Sequence, residues 1–221
     1  MNIITEEETD RIVVLCGQYN ILDYSINDDG SIDVYHDIYL RGDGAWYTLP
    51  LCFNTVDGSF DCTNNRLTTL IGSPRVVTGD FNCSMNDLTS LEHSPITVGG
   101  DFLCYGNNLV NLIGITVKVV GDLSCHNNLL TSLEGCPKEV GGELDCCRNE
   151  ISTLEHYRLE DGNLSCLNNK LPYVLTKMLH TLSREEQIIF LKYQKYYDVW
   201  MPGLNIDGMN DLVAEIRDGL K

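Results

Sequence analysis

The sequence predicts a repeat solenoid of stacked coils, with parallel β strands on one face, irregular return arcs and helical caps at both ends. Three observations carry that expectation. The phrase Gly58-Ser-Phe-Asp-Cys-Thr-Asn-Asn-Arg-Leu-Thr-Thr-Leu returns from Gly79, Gly100, Gly121, Gly142 and Gly162, a period of 21 residues that shortens to 20 at the last step. Fixed periods of this size mark solenoids. Within each phrase Phe60 and Cys62 alternate with Ser59, Asp61 and Thr63, the period-2 pattern of a strand buried on one face. Three residues after each repeated cysteine stands an asparagine: Asn65, Asn86, Asn107, Asn128, Asn149 and Asn169. An amide both donates and accepts, so a column of them can satisfy the turning backbone of successive coils where no water reaches.

Taken in order, Thr5-Glu-Glu-Glu followed by Ile12, Val13, Val14, Leu15 and Gln18 predicts an amphipathic helix, with Thr5 and Glu8 as its capping box. Two extended pieces follow, residues 21 to 26 and 32 to 40, divided by the turn signal Asn27-Asp-Asp-Gly. Residues 1 to 28 are thus read as an amino-terminal cap, a helix plus an extended segment. From 29 to 57 the repeat is degenerate. Ile38 and Leu40 resemble its paired inward positions, and Leu49 and Val56 stand 21 residues before Leu70 and Val77. The solenoid accordingly spans 29 to 174, degenerate first coils and then six repeats. Its inward column reads Phe60, Phe81, Phe102, Leu123, Leu144 and Leu164, with Cys62, Cys83, Cys104, Cys125, Cys146 and Cys166 beside it. Leucine or isoleucine follows each asparagine by two places, and a further column runs from Leu70 to Leu154 and, less cleanly, Val174. The return arc carries Pro74, Pro95 and Pro137 and then Val77, Val98, Val119 and Val140 without helical periodicity, so it should be irregular or extended. Residues 175 to 221 are read as a helical carboxy-terminal cap. There Ser183 and Glu186 box the start of a helix running to Trp200, and Pro202-Gly203 breaks it. Met209, Leu212, Val213, Ile216 and Leu220 mark a final helix.

The recurring Phe-x-Cys-x-x-Asn-x-Leu-x-x-Leu resembles the leucine-rich repeat, with Phe or Leu and then Cys replacing two of its leucines. Residues 130 to 142, Leu-Thr-Ser-Leu-Glu-Gly-Cys-Pro-Lys-Glu-Val-Gly-Gly, are similar to the short-repeat leucine-rich-repeat proteins of tailed bacteriophages. The resemblance covers about residues 29 to 174 and implies a recognition scaffold without naming a partner. Secreted ubiquitin-ligase effectors carry similar short repeats but need a large catalytic domain after them, and only some 47 residues follow the repeats here.

Composition narrows the partners. The chain has 32 acidic and 15 basic residues, a formal net charge of −17, and residues 1 to 57 hold 11 of the acids against 2 bases. Such a surface repels nucleic acid and anionic lipid and favours a basic protein partner. The first residues lack the basic region of a signal peptide, and no apolar run approaches the roughly 18 residues of a membrane span. A cytoplasmic protein is expected, in the host cytoplasm if phage-encoded. Six of the ten cysteines recur once per repeat at an inward position, where a free thiol packs as a small hydrophobe. Parallel stacked side chains give poor disulfide torsions, and a linear ladder cannot converge four metal ligands. They are read as reduced packing groups, with no cofactor and no metal expected.

The candidate site is the outward face of the stacked strands. One position before the Phe/Leu column stand Ser59, Asp80, Asp101, Asp122, Glu143 and Asn163, so four successive carboxylates should line up about 4.8 Å apart. Like charges so placed repel, and something must offset that. Each acid follows a glycine and could accept a bond from the turn. It could also belong to a stripe awaiting a basic surface, or, more weakly, bind calcium, although the glycine-rich nine-residue calcium repeat is missing. The next outward columns bring Asp61, and then Leu103 and Tyr105 as an apolar patch in mid-stack, with His126 one coil on. An exposed tyrosine rimmed by charge is a typical interaction centre. Catalysis has little support. His93 and His156 lie three coils apart, and His126 stands one coil from Cys104 and Cys147 with no third group expected to orient its imidazole. Two functions follow as expectations: a non-enzymatic protein-binding scaffold acting through the acidic strand face, or an acidic mimic of nucleic acid that occupies a nucleic-acid-binding enzyme.

Overall fold

The computed structural model describes residues 4–42, 44, 46–115, 118–157, 159, 163–200 and 203–220. Gly162, which opens the sixth repeat, and Pro202 of the expected helix break lie outside the described residues. The chain forms a β-solenoid whose stacked coils contribute short parallel strands to two sheets, each of seven strands among the described residues. One sheet holds the cysteine phrase: Ile38–Tyr39, Phe60–Asp61, Phe81–Asn82, Phe102–Leu103, Leu123–Ser124, Glu143–Asp145 and Asn163–Ser165. Its register pairs Phe60, Phe81, Phe102, Leu123, Leu144 and Leu164 in one row, as the 21-residue period requires.

The return arc, expected to be irregular or extended, is extended and forms the second sheet. Phe53–Val56, Val76–Val77, Thr97–Val98, Lys118–Val119 and Glu139–Val140 pair in parallel, with Val56, Val77, Val98, Val119 and Val140 in register. Valine favours extended backbone because its χ1 is stiff. One valine per coil at a constant period lets the arc's peptide groups pair with the coils on either side. At the amino end this sheet continues through Ile32–Val34 and finishes on Tyr24–Ile26, which runs antiparallel to it. The reversal is made by a tight turn in which the Asn27 N–H donates to Ser31 O at 2.8 Å and Gly30 sits at φ +82°, a conformation open to glycine.

Between the sheets the inward columns are sealed. Phe60, Phe81, Phe102, the leucines at 67, 70, 88, 91, 109 and 112, and Cys62 to Cys125 have no exposed surface. Successive Phe rings stand 5.9 and 5.2 Å apart. Burying each such ring or leucine contributes about 1.5–3 kcal/mol, so a thin column gains its stability one coil at a time.

Helices lie at both ends. α1 (Glu6–Gln18) starts at the expected box, Thr5 Oγ1 accepting from the Glu8 N–H and the Glu8 carboxylate from the Thr5 N–H. It buries Cys16 and packs Ile12, Leu15 and Tyr19 on the core, with Tyr19 edge-on to Trp46 at 5.2 Å. At the other end α2 (Tyr173–Leu179) begins directly after Pro172 and turns the chain before the last leucine position can form. Val174, expected inward, is therefore 44% exposed on this helix, and Leu175 is buried instead. α3 (Arg184–Tyr193) has the Ser183–Glu186 box but stops at Tyr193, short of Trp200. The buried Gln194 amide donates to Leu191 O and accepts from Trp200 Nε1 at 2.6 Å, folding the segment back on the helix end. α4 (Ile206–Arg217) is capped by Asn205 and buries Met209, Leu212, Val213 and Ile216. Among the described residues no helix is long and apolar enough to cross a membrane.

Candidate functional site

The outward face of the cysteine sheet is set by what lies behind it. Asn107 Nδ2 donates to Cys104 O in its own coil and to Cys83 O in the coil before, both at 3.1 Å, while its Oδ1 accepts from the Leu88 N–H at 3.0 Å. Asn86, Asn128 and Asn149 repeat the arrangement. Three backbone groups per coil are thus satisfied by one side chain, which holds every coil at the same height and rotation. The outward residues consequently form straight columns.

The carboxylates of the first column, Asp80, Asp101, Asp122 and Glu143, are tied to one another's backbones. Asp80 Oδ1 accepts from the Asp101 N–H, Asp101 Oδ1 from the Asp122 N–H and Asp122 Oδ1 from the Glu143 N–H, at 2.8, 2.8 and 2.7 Å. Asp37 and Ser59 extend the chain of bonds toward the amino end, through the N–H groups of Ser59 and Asp80. Each N–H offsets part of the repulsion along the column. The preceding glycine makes the reach possible, since a Cβ on Gly121 would collide with Asp101 Oδ1. Asp80, Asp122 and Glu143 remain exposed, and Asp101 is half-buried.

In the next column Asp61 is already neutralised. Arg41 Nε and Nη2 meet its Oδ2 at 2.8 and 2.6 Å, Thr63 donates twice to its Oδ1, and the residue is only 6% exposed. Leu103 and Tyr105 are half-buried at mid-stack. The Tyr105 ring stacks on His126 at 4.5 Å with an interplanar angle of 6°. The imidazole, expected to have no orienting group, does have one. Its Nδ1 lies 2.8 Å from Ser124 Oγ and 3.2 Å from Asp145 Oδ2, residues brought alongside by the Ser124–Asp145 register.

Cys104 faces inward and is fully buried, so only Cys147 shares the outer face with His126. Cys147 Sγ accepts from the Leu167 N–H at 3.2 Å and lies 3.3 Å from Ser165 Oγ, and partial burial pushes its thiol up, away from a thiolate. The six ladder cysteines and Cys147 are free thiols. Burial pushes the ladder thiols well up, least for Cys166, which reaches about 11. Among the described residues no three His, Cys, Asp or Glu side chains gather as metal ligands.

One residue of this face was missed. Between each cysteine and asparagine the backbone turns left-handed, and Asn64, Gly106, Asn127, Arg148 and Asn168 occupy that position at φ +53° to +66°. Met85 holds it at φ +54°, is 53% exposed, and places its sulfur where a side chain on Gly106 would be, beside Tyr105. The visible signal was a methionine where four of the six repeats have Asn or Gly and the fifth has Arg148.

A cavity of about 840 Å³ opens away from this face, between the fifth repeat's return arc and the turns after α3, lined by His156, Tyr157, Tyr193, Tyr196 and Trp200 among others. Its walls also mix Lys192 and Lys195 with Glu155 and Asp198, so they select no single charge. No protein-family model matches the chain, and a search of curated proteins returns no match. The leucine-rich-repeat resemblance therefore rests on the repeat phrase itself.

Proposed function

We propose that this chain is a non-enzymatic, protein-binding scaffold of leucine-rich-repeat type, closed by helical caps, that recognises a protein with a basic surface through its acidic strand face. The observation that carries it is the Tyr105–His126 stack, with Leu103 beside it, set in a face that is polar apart from Met85 and Leu167 and bordered by Asp80, Asp101, Asp122 and Glu143. An apolar centre inside a charged rim is the usual anatomy of a protein interface. Asp61 does not join the rim, because Arg41 holds it. The up-shifted Cys147 thiol supports a binding role over nucleophilic chemistry. On the phage resemblance, we read the protein as acting on a host factor in the host cytoplasm.

The test is capture of a partner from host lysate and its identification by mass spectrometry, followed by affinity measurements with variants. Tyr105→Ala should weaken binding by about 2 kcal/mol. Reversing Asp101 and Asp122 to Lys should slow association with a strong salt dependence, and Arg75→Ala on the return arc should change nothing. Loss of binding with Arg75→Ala alone would put the interface on the other side of the solenoid. The −17 charge also favours a second reading, mimicry of nucleic acid. In that case affinity should collapse between low and moderate salt whether or not Tyr105 is present.

A further inference from the structure

Among its described residues the third repeat, residues 100 to 120, differs from its neighbours at five outward places. Where adjacent coils place polar or small residues, it places Leu103 and Tyr105 on the strand face, Val110 and Ile113 on the arc beyond the asparagine turn, and Val120 at the corner before the next acid. Val110 and Ile113 are each 48% exposed and Val120 53%. The fold does not ask for apolar groups at these places. Thr89 and Thr131 occupy the position of Val110 in the coils on either side, and Glu92 and Glu134 that of Ile113, with the strand register unbroken across all three coils. Apolar groups that no neighbouring coil needs, gathered on the strand face and the arc of one coil, mark an interaction surface.

Resting on the binding role above, we infer that the partner contributes an extended basic segment that wraps the third coil. Its apolar side chains would lie on Leu103 and Tyr105, and then, past the asparagine turn, on Val110 and Ile113. Charge decides the occupant. Carboxylates border the belt on both sides of the turn, Asp101 and Asp122 on the strand face and Glu92 and Glu134 on the arc, and the whole chain carries −17. A second copy would bring like charge against like, whereas lysines alternating with apolar residues meet acids and belt together. An extended chain can turn the edge of a coil, which a rigid helix cannot.

The probe is a fluorescein-labelled 12-residue peptide alternating lysine with leucine or tryptophan, measured by anisotropy against the intact protein. Two paired variants borrow the chemistry of neighbouring coils: Leu103→Asn with Tyr105→Ser, and Val110→Thr with Ile113→Gln. Glutamine keeps the length of the glutamates found there without adding charge. Ile71→Gln, at the position of Ile113 in the first repeat, is the control, and circular dichroism checks that each variant is folded. The expected result is that each pair weakens binding by about tenfold or more while Ile71→Gln binds as the unaltered protein does. Unchanged binding by the arc pair, with loss in the strand pair, overturns the wrap and leaves the strand-face reading standing. Equal loss with Ile71→Gln overturns the special role of the third coil. No binding of the peptide, or loss in the arc pair alone, overturns the binding reading itself. A dimer in sedimentation that the arc pair dissociates would make the belt a self-contact and overturn the basic partner.

Discussion

Asn107→Ala tests the physical basis of the stack. The side chain is 7% exposed and satisfies three backbone groups at once. Two of the three have a second partner, since Cys83 O also accepts from Asn86 Nδ2 and Cys104 O from Asn128 Nδ2, both at 3.1 Å. The Leu88 N–H has only Asn107, so its loss leaves a buried donor unpaired at about 1–3 kcal/mol. Each half-satisfied carbonyl adds a few tenths, giving about 2–4 kcal/mol in all. With a urea m-value of about 2 kcal/mol/M, the midpoint should fall by roughly 1–2 M.

Asn107→Asp separates hydrogen bonding from shape. The carboxylate could still accept from Leu88 but would face two carbonyls it cannot donate to, and it buries a charge, so it should destabilise more than alanine. Asn65→Ala, at the amino end where Oδ1 has no partner among the described residues, strands a carbonyl and no described N–H, and should cost less than Asn107→Ala. Urea unfolding followed by far-ultraviolet circular dichroism gives all three values. An alanine variant as stable as the parent, or an aspartate variant more stable than alanine, would refute the ladder.

Three further outcomes are expected. In an Ellman titration of the native protein the exposed Cys52 should react at once while Cys62, Cys83, Cys104 and Cys125 wait for unfolding, their thiols being buried and pushed up; prompt reaction of the ladder would contradict the packing. Met85→Asn should raise stability by about 0.5–1 kcal/mol, because asparagine tolerates the left-handed backbone, yet weaken partner binding; a loss of stability would show that Met85 serves the fold. The Ser183 backbone N–H holds the Glu186 carboxyl below its ordinary range, so its contribution to the start of α3 is present above the unfolded value and lost as pH falls through the folded one. Amide exchange at Ser183, whose N–H the carboxylate accepts, should therefore quicken as pH falls below the ordinary glutamate value of about 4.3, and a rate independent of pH beyond the intrinsic change would exclude the capping role.

What could be read from the chain follows from how far each interaction reaches. The inward columns and the asparagine column recur at one period, and the boxes at Thr5 and Ser183 span three residues, so both are visible without a structure. The valines of the second sheet recur at the 21-residue period, but most of its strands are two residues long, too short to show the alternation that separates a strand from irregular backbone. Val174 and Trp200 were misplaced by single events, the break at Pro172 and the long-range bond of Gln194, that no pattern announces. At the site, the pairing of Asp61 with Arg41 was hidden because Arg41 lies in a coil too degenerate to align, even though the register sets Tyr39 beside Asp61. The bond from His126 to Asp145 crosses diagonally between columns, which reading straight down each column cannot show.

The same geometry explains why function is best sought in departures from the repeat. An inward or asparagine position is bonded to the coils on both sides, so one substitution disturbs three coils, and these columns barely vary along the chain. An outward position is held by a single coil-to-coil bond, as at Asp80, or by local turns, as at Asn82 and Asp145, whose side chains accept from the N–H two residues on. Polar residues satisfy that requirement, and most coils stop there. Met85, Leu103, Tyr105, Val110 and Ile113 satisfy none of it. Met85 also adopts a backbone that disfavours it, at a cost of about 1 kcal/mol. Exposed apolar side chains occur on other coils too, as at Ile71, Ile96, Leu129 and Leu167, but the third repeat carries Leu103, Tyr105, Val110 and Ile113 together and Met85 touches it from the second. Concentration in one place, against the chemistry the fold prefers, is what a contact with another molecule would impose.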